Sequence, residues 1–142
     1  MKIAYIGGTF DLFHAGHIRL LRAAKERFDE VCVGVNTDEF ATRYKRIPVM
    51  TLEERVEMLL GCRYVDRVFI NELGENSAPA ILRARATHIV HGSDWTGDGL
   101  MKQMGIDQLW LERNGITMEY LPYTPGISTT EIIERLRDDT HL

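Results

Sequence analysis

The feature that most constrains this chain is a short apolar run that ends on glycine and leads straight into an amphipathic helix. Ile3-Ala4-Tyr5-Ile6 is followed by Gly7-Gly8-Thr9-Phe10-Asp11-Leu12-Phe13-His14-Ala15-Gly16-His17. A strand, a glycine-bearing turn and a helix start leave unpaired backbone N–H groups aimed at one spot, with the positive end of the helix dipole behind them. Such a spot holds phosphate. His14 and His17 stand three apart, so with the helix starting near Gly16 both imidazoles face one pocket. There they can donate to an anion whose charge grows during a reaction. Gly16 between them lets the backbone come close to a ligand, or take a torsion that a side chain forbids. Two histidines at this spacing without a third ligand make a poor zinc site.

The rest of the chain alternates strands and helices. His17 to Phe28 reads as a helix, with Ile18, Leu21, Ala24 and Phe28 at helical spacing and Arg19, Arg22, Lys25 and Glu26 facing water. Val31 to Val35 is the next strand, which implies a right-handed crossover and parallel pairing. From Asn36 to Pro48 the pattern is less regular, a loop or short helix with a basic tip. Thr51-Leu52-Glu53-Glu54 is a capping box opening a helix, and Val65 to Ile70 is the third strand. Ser77 is placed to cap a helix that carries Pro79 in its first turn and ends near Ala86. Ile89-Val90 centres the fourth strand, one helix covers part of Leu100 to Asn114 with Gly115 as its stop, and Ile116 to Leu121 is the fifth strand. Ser128-Thr129-Thr130-Glu131 is a second capping box before the last helix.

This alternation predicts a doubly wound α/β domain, whose ligands sit at the carboxyl ends of the strands where strand order reverses. The first and fourth strands are natural neighbours there, which puts the His14 loop beside the loop that carries Asp94. A length of 142 residues fits one domain, 1–142, with a single sizeable core. A formal net charge of -4 argues against a general nucleic-acid partner. No apolar stretch of signal-peptide or membrane-span type precedes the first strand, so a cytoplasmic protein with no membrane insertion is expected. Cys32 and Cys62 form no Cys-x-x-Cys pair and read as reduced, buried thiols.

His14-Ala15-Gly16-His17 resembles the His-x-Gly-His signature of the nucleotidyltransferase superfamily, and Gly8 to His14 is similar to its cytidylyltransferase branch, in particular the glycerol-3-phosphate cytidylyltransferases. Three later stretches resemble the same branch: Arg63-Tyr64-Val65-Asp66, Gly92-Ser93-Asp94-Trp95 and Gly126-Ile127-Ser128-Thr129-Thr130. The resemblance implies a Rossmann-like, five-stranded parallel sheet of order 3-2-1-4-5. It implies transfer of a cytidylyl group from CTP to a small phosphomonoester, with glycerol 3-phosphate preferred, together with Mg²⁺ and a homodimer. His14, His17 and Lys45 would then be catalytic, and Gly8, Thr9, Phe10, Asp11 and Gly16 would surround the nucleotide. Asp94 and Trp95 would close on its base, while Gly126, Ile127, Ser128 and Thr129 receive the β and γ phosphates. Arg55, Arg63 and Asp66 would support the site, the last two also the dimer contact.

Several of these residues have a plainer reading. Asp11 beside phosphates repels them unless a cation intervenes, so it either orders the loop or helps hold Mg²⁺. Lys45, within Arg43-Tyr44-Lys45-Arg46, is the nearest match to a lysine that the family carries on a mobile loop. Arg55, in Glu53-Glu54-Arg55, reads on its own as a surface ion pair, and Arg63 with Asp66 as a structural one. A carboxylate and a flat indole at Asp94 and Trp95 suit a base such as cytosine. Two positions depart from the family pattern: Ser93 replaces an aspartate, and Tyr123-Thr124 stands where cytidylyltransferases carry Arg-Thr. Tyrosine cannot replace a bidentate guanidinium. Either Arg113, Arg55 or Lys45 supplies that charge or the substrates differ: ATP with a sugar phosphate, CTP with phosphoethanolamine, or nucleotide binding without catalysis. His88, His91 and His141 read as structural or surface residues.

Overall fold

β1 (Ile3–Gly8) lies at the centre of the sheet because its apolar residues are covered on both faces: Ala4, Tyr5 and Ile6 are essentially inaccessible. In the computed structural model, which describes residues 1–92, 97–122 and 127–138, five strands form one parallel sheet of order β3-β2-β1-β4-β5. The others are β2 (Glu30–Asn36), β3 (Arg67–Asn71), β4 (His88–Gly92) and β5 (Thr117–Leu121). The register sets Gly8 against Val35 and Ala4 against His88, so the turn after β1 emerges where the strand order reverses. Both the sheet and its order are as the sequence predicts.

Side-chain alternation divides the core. Ala4, Ile6, Val31, Val33, Val35 and Val90 pack against α1 (Ala15–Arg27) and α3 (Leu52–Leu60) on one face. Tyr5, Cys32 and Ile89 pack on the other against α4 (Ala78–Arg83), α5 (Gly97–Met104) and α6 (Gln108–Asn114). Gly34 is required where Tyr5 crosses β2, since a Cβ there would lie 1.8 Å from the phenol oxygen. Both cysteines are buried and free. No helix among the described residues is long and apolar enough to cross a membrane.

Of the two forms open to the basic stretch after β2, the short helix is the one seen: α2 (Asp38–Tyr44), capped by Thr37. Two local expectations change. The single helix expected within Leu100 to Asn114 is two, broken at Gly105. That glycine has φ 71, and a Cβ on it would fall 2.3 Å from the Glu75 carbonyl. Ser77 precedes α4 but does not cap it: its backbone is already helical, and its hydroxyl takes a hydrogen bond from Asn71 instead. The Thr51–Glu54 capping box forms in both directions, and α7 (Thr129–Arg137) starts with Ser128 accepting from the Glu131 N–H.

Arg55 corrects the surface ion-pair reading. Its side chain is fully buried. Nε donates to the Met50 carbonyl (3.2 Å), one Nη to the carbonyls of Thr9 and Asn36 (2.8 Å each), and the other to Asp38 Oδ1 (2.6 Å). The guanidinium thus fastens the turn after β1, the end of β2, the start of α2 and the lead-in to α3. With these bonds made, Arg55 is not available to a triphosphate in place of the missing family arginine. Arg55→Met removes the guanidinium donor from three carbonyls, that of Asn36 in a buried contact, and is expected to cost at least about 3 kcal/mol. Urea denaturation with an unchanged slope checks it, and Arg55→Lys should recover only part of the loss, because an ammonium cannot reproduce the fork.

Candidate functional site

A cavity of about 450 Å³ opens at the carboxyl ends of β1, β2 and β4, lined by the Gly7 to Asp11 turn, both histidines and the start of α7. The turn holds two non-glycine residues in the left-handed region, Phe10 (φ 55) and Leu12 (φ 49). That conformation is costly and persists only where its surroundings enforce it. Asp11 between them does so. Its buried carboxylate accepts from the N–H groups of Leu12 (3.1 Å), Met50 (2.9 Å) and Val49 (2.8 Å), and its carbonyl accepts from Thr129 Oγ1 (2.7 Å). Of its two readings, ordering the loop is the one seen. Both oxygens are turned to backbone, and no group of three His, Cys, Asp or Glu among the described residues could hold a metal ion. The described side chains therefore do not form a Mg²⁺ cage.

The two histidines cap α1 reciprocally. The His14 N–H donates to His17 Nδ1 (3.1 Å), and the Gly16 N–H donates to His14 Nδ1 (3.0 Å). A ring nitrogen that accepts cannot carry a proton, so each neutral ring bears its hydrogen on Nε2, at the edge away from the cap. The rings stack with centroids 3.7 Å apart, and Phe13 and Phe10 pack on His17 at 5.4 and 5.2 Å. Burial lowers the pKa of His14, and burial together with the neighbouring His14 lowers that of His17 to about 3. Gly16 is explained by this packing: a Cβ would stand 2.9 Å from His14 Cε1 and 3.2 Å from the Ile127 carbonyl.

Facing the histidines are Ile127, Ser128, Thr129 and Thr130. Ser128 Oγ accepts at the helix cap, and the Thr129 hydroxyl donates to the Asp11 carbonyl. What the start of α7 does offer is first-turn backbone N–H groups. Lys45 and Arg46 both line the cavity. Lys45 ends α2 and is exposed, whereas Arg46 is half-buried, reaches Thr130 Oγ1 (3.4 Å) and keeps a buried Nε without a partner. The sequence pattern does not single out Arg46: α2 ends at Tyr44, and of the two cations that follow it is the second that lies half-buried against the cavity.

Other expected residues stand apart from the cavity. Arg63 is exposed against the Tyr64 ring (5.8 Å). Asp66 pairs not with Arg63 but with Lys25 Nζ and the Val31 N–H, both at 2.8 Å. Burial opposes its charge, yet these bonds outweigh it and hold the carboxyl below its usual range. Arg113 lies on the exposed side of α6, outside the cavity lining. His91 lines the cavity, and His88 contacts Thr87 Oγ1 (2.8 Å). Ser93, Asp94, Trp95, Tyr123, Gly126 and His141 lie outside the described residues.

A Rossmann-like sheet whose first turn ends in His-x-Gly-His, with a second helix start facing it, defines a nucleotidyltransferase domain. The chain belongs to the cytidylyltransferase-like family, whose model matches residues 5–135. It is 36% identical to glycerol-3-phosphate cytidylyltransferase of Bacillus subtilis, over 96% of this chain and 98% of that protein. It is 37% identical to FAD synthase of Pyrococcus horikoshii, over 94% of this chain and 90% of that one. It is 36% identical to ethanolamine-phosphate cytidylyltransferase of Dictyostelium discoideum over 97% of this chain, but spans only 38% of that protein's length. A lipopolysaccharide core biosynthesis protein from Thermoplasma volcanium shares the fold, with a TM-score of 0.69 at 24% identity over 87% of this chain and 97% of that one.

The histidine cap predicts a pH dependence. An unfolded imidazole protonates near 6.5, whereas His17 in the fold stays neutral down to about 3. The unfolded chain therefore binds the proton first, and the stability from this group, full above pH 6.5, is lost as pH falls toward 3. The loss is up to about 1.4 kcal/mol per pH unit. Asn at position 17 accepts the same N–H without titrating, so the stability difference between wild type and His17→Asn should shrink by about 2 kcal/mol from pH 7.5 to 5.0. A constant difference in urea midpoints would show an unperturbed histidine.

Proposed function

We propose that this protein transfers a cytidylyl group from CTP to a small phosphomonoester, glycerol 3-phosphate being the preferred acceptor, and releases pyrophosphate. The observation that carries the reading is the reciprocal cap, which presents two neutral Nε2–H donors in the cavity beside the turn after β1. An acceptor phosphate oxygen forms the new bond to the α-phosphorus as the bond to the β-phosphate oxygen breaks. The nucleophile is already anionic, so the work falls to positioning and charge stabilisation. His14 and His17 donate to oxygens of the transferring group, and because they are neutral and fixed they need no protonation step. Arg46, Lys45 and the first-turn N–H groups of α7 hold the β and γ phosphates. Mg²⁺ belongs to the proposal as the ion that the triphosphate brings with it.

A glycerol-3-phosphate cytidylyltransferase matched over 98% of its length supports glycerol 3-phosphate. Other nucleotide and acceptor pairs form the second reading, favoured by a relative of comparable identity and coverage that is an FAD synthase. The deciding experiment is pyrophosphate release in Mg²⁺ with CTP, ATP, UTP and GTP, each against glycerol 3-phosphate, phosphoethanolamine, flavin mononucleotide and sugar phosphates. CTP with glycerol 3-phosphate should be the productive pair, and another pair would replace it. His17→Ala is expected to lower kcat by at least about 100-fold with little change in KM. Arg46→Gln should raise the KM for CTP more than Lys45→Gln does. Near wild-type turnover in His17→Ala would sink the histidine assignment.

A further inference from the structure

One side of the cavity is built from uncharged polar side chains that the transfer chemistry does not use. Asn71 ends β3 and is 3% exposed. Its Nδ2 group donates to the Gly74 carbonyl (3.0 Å) and to Asn36 Oδ1 (3.2 Å), with Ser77 Oγ at 3.4 Å. A backbone carbonyl can only accept, so this contact fixes which way the amide faces. Asn36 in turn donates to Thr9 Oγ1 (3.3 Å), which joins the row to the turn after β1. Asn71 Oδ1 is left buried without a partner, and so is Gln103 Oε1 on α5. Asn71, Ser77 and Gln103 all line the cavity that holds the histidines, and the Ser77 N–H bond to the Met104 carbonyl (2.8 Å) draws α5 to the same corner.

Buried acceptors without donors are rare in native proteins and point to a group that arrives from outside. Resting on the transfer reading above, we propose that Asn71 and Gln103 read the hydroxyls of the acceptor, which is a phosphomonoester of a neutral polyol and not one bearing an ammonium. An amide oxygen accepts from either, so charge decides. Asp11 is the sole carboxylate among the described lining residues, and its oxygens are taken by backbone N–H groups. Lys45 and Arg46 add positive charge to the same cavity. An ammonium there loses hydration, meets no free carboxylate among the described lining residues and faces two cations.

The test compares glycerol 3-phosphate, propyl phosphate and phosphoethanolamine on the full chain with saturating CTP, by pyrophosphate release and by calorimetric binding of each acceptor. Propyl phosphate keeps the carbon chain and lacks the hydroxyls. Wild type should favour glycerol 3-phosphate over both others by at least about tenfold in kcat/KM and in Kd, as expected when a site's buried polar groups are left unpaired by the wrong ligand. Asn71→Leu should narrow the ratio over propyl phosphate to a few-fold, and Asn71→Asp should move the preference toward phosphoethanolamine. Equal binding of glycerol 3-phosphate and propyl phosphate to wild type overturns the proposal without reference to any variant, as does better turnover of phosphoethanolamine. Selective binding of the polyol with no pyrophosphate release from any pair would overturn the transfer reading and leave the hydroxyl-reading site standing.

Discussion

The fully buried guanidinium of Arg55 is the interaction on which the site's geometry depends. The chain around Thr9, Asn36, Asp38 and Met50, at and beyond the last β1–β2 pair of Gly8 with Val35, is held at fixed distances because each of these residues supplies an acceptor to one planar fork. A charge taken out of water is tolerable only when its donors are matched in this way. Asp11 completes the device from the opposite sign. The Met50 N–H donates to its carboxylate, while the Met50 carbonyl accepts from Arg55. Two buried ionic side chains, not paired with each other, thus grip one residue of the lead-in to α3 from both ends of its backbone.

That grip explains how the turn after β1 carries two left-handed residues. Phe10 and Leu12 flank Asp11, and the hydrogen bonds that immobilise Asp11 leave neither neighbour an easier path. The conformation delivers the chain to His14 with an extended backbone suited to a helix cap, and the cap then makes His14 and His17 acceptors for each other's segment. A single arrangement sets ring orientation, tautomer and lowered pKa together. The donors at the cavity wall are fixed before any ligand arrives, which is what a site that stabilises developing negative charge requires.

Elements with local causes were legible in the sequence. β1 and α1 announce themselves by apolar periodicity, and Thr51 with Glu54 by reciprocal capping, because neighbours in the chain supply each partner. Arg55 was not legible: after Glu53-Glu54 it looks solvated, and the acceptors that bury it lie 46, 19 and 17 residues away in Thr9, Asn36 and Asp38. Gly105 split a helix for an equally distant reason, the carbonyl of Glu75. Arg46 and Lys45 differ by one step of register, decided by where α2 ends. Ser77 looked like a cap, but its hydroxyl is oriented by Asn71 at the end of a strand. In each case the missed contact is tertiary, and residue type alone was compatible with either outcome.

The cavity separates two kinds of recognition by the kind of group that performs each. On the phosphate side the determinants are backbone N–H groups, a glycine that admits a folded-back imidazole, and two histidines locked by main-chain hydrogen bonds. These depend on the fold and tolerate few changes. On the side proposed to read the acceptor they are uncharged side chains at the ends of β2 and β3, before α4 and on α5. A family built this way can keep one phosphoryl chemistry while its members differ in acceptor, since function resides in the site and not in the architecture. The same division explains why close identity to relatives with different names does not choose among them. On the proposed reading the choice rests with residues such as Asn71 and Gln103, whose unpartnered oxygens make a demand on the ligand that the turn after β1 does not.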